Sequence, residues 1–263
     1  IVLPDTQFYS QSYPDNFTAQ TQWIVENRAA LNIVQVIHVG DVVQNAGVTG
    51  EWINADNAMK LLEDPSTTLL AEGIPYGISP GNHDQPVTNF NQFFGVNRFT
   101  GGTDPGGLMT QMLPGIDRSY YGDHYPGGGN ENSYTLFSAG GMDFIVIYLN
   151  WSSGSNPDIL DWADDQLKIY SDRRAIVASH YLMGVGDPGS FGGDGQAIYN
   201  ALKDNPNLFL MVSGHIHGEG MRMDDIEPPD PDHTIYTLLA DYQDLPNGGN
   251  GWLRILRFSP AND

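Results

Sequence analysis

The sequence predicts an α/β protein with two mixed sheets packed on one another, and three observations predict it. In the first half, short apolar runs rich in β-branched residues alternate with amphipathic stretches, the pattern of parallel βαβ units. In the second half, strand-like runs follow a Gly-rich stretch in close succession, which implies a second sheet packed on the first. The side chains able to handle metals or protons cluster just after the apolar runs, where open α/β sheets place their ligands.

Residues 1–3 read as a strand, 18–31 as a helix, 33–39 as a strand, 52–62 as a helix and 74–79 as a strand. A Gly-rich stretch over 101–132 separates these from strands at 133–137 and 143–149 and a helix at 158–169. A strand at 175–179, a helix near 196–202 and strands at 208–212, 234–239 and 252–258 complete the chain. No internal repeat or long linker is present, so residues 1–263 are expected to form a single domain with long decorated loops. The chain opens at Ile1, inside a strand and without a charged, apolar leader, and the gene product is expected to be longer.

Composition narrows the function. At 40% apolar and 11% aromatic residues, the chain can bury a core and is not of the disordered class. No run approaches the ~18 apolar residues of a membrane span, so no membrane association is expected. Thirty-two acids against 11 bases give a net charge of −21. So few cations can do little to neutralise a phosphate backbone, and nucleic acid is disfavoured as a partner. The absence of cysteine excludes disulfides, thiolate metal sites and a Cys nucleophile, leaving His, Asp, Glu, Asn, Gln or water to hold any metal. The excess of Asp over Glu, the scarcity of Lys and the 31 Gly and 17 Pro point to a secreted or periplasmic protein.

Five strand ends carry the candidate chemistry. Asp5 and Gln7 follow the first run, Gly40-Asp41 the second and Gly81-Asn82-His83-Asp84 the third, while His180 follows 175–179 and Gly214-His215-Ile216-His217 follows 208–213. Two carboxylates, two amides and three or four imidazoles suit two divalent cations that share a carboxylate.

Together these segments resemble the calcineurin-like metallophosphoesterase family, whose pattern is D-x-H, G-D-x-x, G-N-H-D/E, a lone His and G-H-x-H in that order. The motifs run from about residue 1 to 217, and the tail from Leu238 to Gln243 and on to Arg254 looks like that of secreted members. The resemblance implies a four-layer α/β/β/α sandwich, two mixed sheets face to face with helices outside. It also implies one metal on Asp5, Gln7, Asp41 and His217, and a second on Asp41, Asn82, His180 and His215, with Asp41 and a hydroxide bridging. His83 would be the general acid near the leaving group, and Asp84 a supporting residue that orients the loop. The two divalent ions would be Mn, Zn, Fe, Mg or Ca. The activity implied is hydrolysis of small phosphodiesters or phosphomonoesters by metal-bound hydroxide, without a covalent intermediate. A nuclease or phosphotriesterase on the same fold, or a non-catalytic module such as a carbohydrate-binding one, are the alternatives. The Asn82-His83 pair counts against the last, because a structural site needs no acid beside an open coordination position.

Gln7 departs from the pattern, which has His there. A carboxamide oxygen is a poorer ligand than imidazole for zinc, so the first site should favour Mn, Mg or Ca, or Gln7 should bond a metal-bound water instead. Four charges on two cations against three on Asp5, Asp41 and a hydroxide leave a positive centre for a small anionic phosphoester. Specificity is expected in loops 99–132, 183–195 and 218–232. His38, inside an apolar run, reads as a hydrogen-bonded core histidine. His124 and His233 read as exposed loop residues, His124 being the one that could face substrate. Asp224, Asp225, Asp230 and Asp232 read as solvated loop acids.

Overall fold

The computed structural model describes residues 1–102, 116–226 and 233–259. Asp230, Asp232 and parts of the first and third specificity loops lie outside the described residues. The first half runs β1 (Val2–Leu3), α1 (Gln7–Ser12), α2 (Pro14–Leu31), β2 (Val36–His38), α3 (Thr49–Met59), α4 (Pro65–Thr68), β3 (Tyr76–Ile78) and α5 (Thr88–Phe94). The second runs β4 (Tyr121–His124), β5 (Ser133–Ala139), β6 (Met142–Leu149), α6 (Pro157–Ile169), β7 (Arg174–Ser179), α7 (Gly193–Leu202), β8 (Leu208–Ser213), β9 (Gly218–Asp225) and β10 (Thr234–Asp241).

Local chemistry sets the helix ends. Pro14 opens α2, where a missing N–H costs nothing, and Asn32 closes it in the left-handed region with φ 51°. In α6 the Asn156 side chain accepts from the Asp158 N–H ahead of Pro157, the capping arrangement a polar–Pro start provides.

Strands β1, β2 and β3 form a three-stranded sheet, and a seven-stranded sheet runs in the order β4-β5-β6-β7-β8-β10-β9. In the larger sheet β6, β7, β8 and β10 are parallel, with antiparallel strands at both flanks. Side-chain alternation along these strands divides the apolar interior into three layers. Val2, Ile37 and Val39 face Val146, Tyr148, Ile176, Ala178, Leu210 and Val212 between the sheets. Leu3, Val36 and Ile78 turn outward to Phe17, Ile24, Trp52 and Phe90 of the helices. On the far side Ile145, Ile147, Val177 and Met211 meet Leu160, Ala163, Leu167 and Ile198 of α6 and α7. The architecture is helix, sheet, sheet, helix.

Several expectations need correction. The smaller sheet is parallel rather than mixed, because each of its strands returns through a helix. Residues 252–258 are not a strand; one antiparallel bridge joins Arg254 to Val2, while Trp252, Ile255 and Phe258 are exposed. Residues 218–225 are not loop but β9, the edge strand paired along its length with β10. Asp224 and Asp225 therefore sit in a strand, and Arg222 forms an ion pair with Asp224. His124 is half-buried in β4, and His233 is buried with Nε2 2.7 Å from the Leu208 carbonyl.

Candidate metal centre

The strand ends converge because backbone hydrogen bonds lace the loops that follow them. Val39 N–H donates to the Leu3 carbonyl, Ser79 N–H to His38, Thr6 N–H to Asp41 and Gly214 N–H to His180, at 2.9–3.1 Å. Glycine is required where the chains approach. At Gly40, φ is +107° and a Cβ would lie 2.5 Å from the Ser79 carbonyl oxygen; at Gly214 it would lie 2.4 Å from Asp5 Oδ2. The residues that follow these glycines, Asp41 (φ 47°) and His215 (φ 70°), are both left-handed. Non-glycine residues rarely adopt that conformation without a tertiary constraint, and such positions concentrate at functional sites.

His180 is the focus. It is buried, and its Nδ1 lies 2.9 Å from the Val39 carbonyl and 3.3 Å from Asp5 Oδ1. A proton on Nδ1 satisfies that carbonyl and turns Nε2 inward, the arrangement usual for a metal-ligating imidazole. Nε2 lies 3.2 Å from Asp41 Oδ2, 3.1 Å from Asn82 Oδ1 and 3.2 Å from His215 Nδ1. Among the described residues, ligand atoms of Asp41, His180 and His215 all lie within 4.8 Å of one another. Spacings of about 3 Å are those of donors sharing one octahedral cation with bonds of about 2.1 Å.

Electrostatics agrees that a cation fits. Asp5 and Asp41 are buried, as is Asp241. Burial pushes the Asp5 carboxyl well up, His180 opposing and the Asp241 and Asp41 charges adding to the rise. Burial also works against the Asp41 carboxylate, but the His180 charge and hydrogen bonds from His180 and His83 hold it below its ordinary value. Burial opposes charge on His180 too, yet Asp41 and Asp5 raise it to about 10. His215 is pushed down to about 4 by burial and the His180 charge, and so presents a neutral imidazole. Burial thus works against charge on Asp5 and Asp41, and divalent ions would supply the opposing charge that His180 supplies without them.

The remaining predicted residues surround this focus. His83 is half-buried; its N–H donates to Asp41 Oδ1 at 2.8 Å and its Nδ1 lies 2.9 Å from the Gln44 carbonyl. Asp84 is fully buried and accepts from the N–H groups of Gly81 (2.8 Å), Val42 and Val43 (both 3.2 Å), tying the loop after β2 to the loop after β3. Gln7, at the start of α1, donates through Nε2 to Gln243 Oε1, while its own Oε1 is buried without a hydrogen-bond partner. His217 is the most open of the set, with Nε2 2.6 Å from Gln243 Nε2 and Nδ1 2.6 Å from Asp244 Oδ2. His38 is a buried histidine with both nitrogens bonded, accepting from Gly40 N–H at 3.1 Å and meeting Thr6 Oγ1 at 3.0 Å. Burial holds it down to about 3 and therefore neutral.

Sequence reasoning missed Trp151, Tyr181, Asp241, Gln243 and Asp244 as site residues. The Trp151 ring lies 5.0 Å from His215 and 5.6 Å from His180, and Tyr181 lies 4.9 Å from His215. Trp151 and Asp241 follow or end strands, so the strand-end signal that found the others was present for both.

A two-sheet α/β sandwich whose strand ends gather carboxylate, carboxamide and imidazole donors defines a candidate metal-binding scaffold. The chain belongs to the calcineurin-like phosphoesterase family, whose profile matches residues 1–219. Over 271 aligned positions it is 35% identical to the uncharacterized protein YvnB of Bacillus subtilis, covering 99% of this chain and 19% of that protein. The chain thus spans about a fifth of the length of that relative. A dimetal phosphatase from Danio rerio is similar at 14% identity and a TM-score of 0.48, covering 84% of this chain and 76% of its own. Purple acid phosphatase PPD1 from yellow lupin seeds is similar at 16% identity and a TM-score of 0.48, covering 93% of this chain and 41% of its own. Family membership supports metal-dependent phosphoester hydrolysis in general.

Proposed function

We propose that the chain hydrolyses small phosphodiesters or phosphomonoesters with two divalent cations, one held by Asp5, Gln7, Asp41 and His217 and the other by Asp41, Asn82, His180 and His215. The observation that carries this reading is the convergence of Asp41, Asn82 and His215 on the inward nitrogen of buried His180. When bound, the cations make a nucleophile from water at neutral pH and offset charge on the phosphoryl oxygens.

The chain's own residues do the rest. Asp41 offers Oδ2 toward His180 while Oδ1 is held by the His83 N–H, so one carboxylate fixes both the ligand cluster and the loop that carries the acid. His83 donates Nδ1–H to the Gln44 carbonyl, which orients the ring, and in its imidazolium form Nε2 carries the proton that would pass to a departing alkoxide. Trp151 and Tyr181 stack near His215 and give the leaving group an aromatic wall. A secreted or periplasmic location, read from the excess of Asp over Glu, the scarcity of Lys and the many Gly and Pro, belongs to the same proposal.

The test is turnover of p-nitrophenyl phosphate and bis-p-nitrophenyl phosphate by protein reconstituted with Mn²⁺, Mg²⁺ or Zn²⁺, before and after EDTA. Activity that EDTA abolishes, that metal restores and that Asp41→Asn loses together with both ions is expected. Bound metal without turnover of either ester would refute the hydrolase reading.

A further inference from the structure

Asp241 ends β10, where its backbone pairs with Gly218, and it shares a sheet edge with His215 and His217. It is 1% exposed. Its two oxygens are in different situations. Oδ1 accepts from the Gln243 N–H at 2.9 Å, whereas Oδ2 is buried without a hydrogen-bond partner and lies 3.9 Å from His217 Nε2. A buried carboxylate oxygen is costly unless a donor or a cation meets it. The neighbouring amide donors are engaged elsewhere, Gln7 Nε2 on Gln243 Oε1 and Gln243 Nε2 against His217 Nε2. Gln7 Oε1 is a second buried oxygen without a partner, on a side chain that Gln243 links to Asp241. Two orphaned acceptors joined through Gln243, one of them 3.9 Å from His217 Nε2, call for a positive centre rather than for another acceptor.

The geometry points to Asp241 as a carboxylate ligand of the first cation position, alongside Asp5, Asp41 and His217, supplying the coordination that the Gln7 carboxamide gives only weakly. The inference rests on the two-cation reading above and adds a ligand to it. Three carboxylates and a hydroxide would then balance the four charges of two cations, so the centre is neutral rather than positive, and the chemical consequence is selectivity. Three carboxylates and an amide oxygen make this position oxygen-rich, which favours hard cations such as Mn²⁺, Mg²⁺ or Ca²⁺ over Zn²⁺, while the His180–His215 position keeps its nitrogen donors. Gln243, spanning Gln7 and His217 and holding Asp241 Oδ1 through its backbone, positions these donors without coordinating.

The experiment measures Mn²⁺ binding to EDTA-stripped parent and Asp241→Asn by calorimetry and by metal analysis after dialysis, with electron paramagnetic resonance to distinguish coupled from isolated ions. The parent should bind two ions that couple. The variant should bind one ion at parental affinity and the other roughly 30-fold or more weaker, with the spectrum of an isolated ion. Two coupled ions at parental affinity in the variant would overturn the assignment of Asp241 while leaving the two-cation reading intact. A parent that binds fewer than two ions would overturn that reading itself. Should the variant fail to fold in near-ultraviolet circular dichroism, Mn²⁺-soaked crystals of the unaltered protein decide. An Asp241 oxygen within about 2.6 Å of the anomalous peak nearest Asp5 supports the inference, and both oxygens beyond that distance overturn it.

Discussion

Replacing Asp84 by Asn tests whether the loops after β2 and β3 are held in place by one buried carboxylate. Burial and the Asp41 charge push the Asp84 carboxyl up to about 7 against three backbone hydrogen bonds that lower it, so at pH 8 it accepts from Gly81, Val42 and Val43. Asn keeps the shape but has one acceptor oxygen. In its better orientation that oxygen serves Gly81 and Val42, and the new amide faces the Val43 N–H donor to donor. Losing one hydrogen bond to a charged group and leaving a buried N–H unmet costs about 2–4 kcal/mol. Asn also removes a buried charge that the raised carboxyl makes unfavourable at pH 8 in EDTA, by about 1.4 kcal/mol per unit of the rise from 3.8 to about 7, so the two effects nearly offset and Tm should move by only a few degrees. Val42 follows Asp41 and Gly81 precedes Asn82 directly, so both ligands should drift and metal affinity should weaken about 10–100-fold. Differential scanning fluorimetry in EDTA and metal titration at pH 8 measure the two effects separately. Parental metal affinity would refute the positioning argument, and a Tm lower by about 10 °C or more in EDTA would refute the offset between lost hydrogen bond and removed charge.

Further predictions follow from other contacts. His83→Ala should slow alkyl phosphoesters about 10²–10⁴-fold and p-nitrophenyl esters far less, since only the poor leaving group needs a proton; equal losses in kcat/KM across matched esters would leave His83 as an electrostatic donor. Gln7→His should tighten zinc binding at the first position by restoring imidazole, and a zinc titration that matches the parent would mean that Gln7 does not coordinate. Arg98, 1% exposed, pairs with Asp56 at 2.6 Å and Glu63 at 2.7 Å and lies over the Phe94 ring. Arg98→Met leaves two buried carboxylates without that partner and should cost about 3–5 kcal/mol in urea unfolding. In EDTA the stability of the protein should fall as pH rises above about 8. Between about 4 and about 7 the proton that the fold keeps on Asp84 is opposed by the protons it excludes from His38, held down to about 3, and His215, held down to about 4. Above about 8 the fold still keeps the His180 proton, raised from 6.5 to about 10, that the unfolded chain has lost, at up to about 1.4 kcal/mol per pH unit. A Tm that is flat or rising from about pH 8 to 9.5 in EDTA would contradict this account of His180.

The parts of the fold legible in the sequence are those where one short segment carries its own signal. Buried parallel strands such as β7 and β8 read as continuous apolar runs because both faces are covered, and the motif glycines mark where one strand end crosses another. Helix α5 carried a helical apolar spacing in Phe90, Phe93 and Phe94, which pack on Trp52, but seven residues after a turn gave that spacing little length in which to repeat. β9 was illegible for a different reason. As an edge strand it exposes Met221 and Met223 and interleaves them with Arg222 and Asp224, so neither face is uniformly apolar and its identity comes from β10 beside it. The run 252–258 shows the converse, an apolar pattern without a partner strand along its length.

The same distinction decides which site residues the sequence could show. Asp41, Asn82 and His215 announce themselves because a glycine that permits a tight approach stands directly before or beside each. Asp241 has no such neighbour. Its place in the cluster depends on β10 lying next to β8 in parallel register, so that a strand 28 residues later in the chain ends level with His215. Only the pairing of Leu239 with Ser213 brings a carboxylate to the edge where Gln7 supplies an amide in place of a stronger donor. A substitution in the first motif and a carboxylate at the end of the last strand are thus coupled through sheet register, and composition along the chain carries no trace of that coupling.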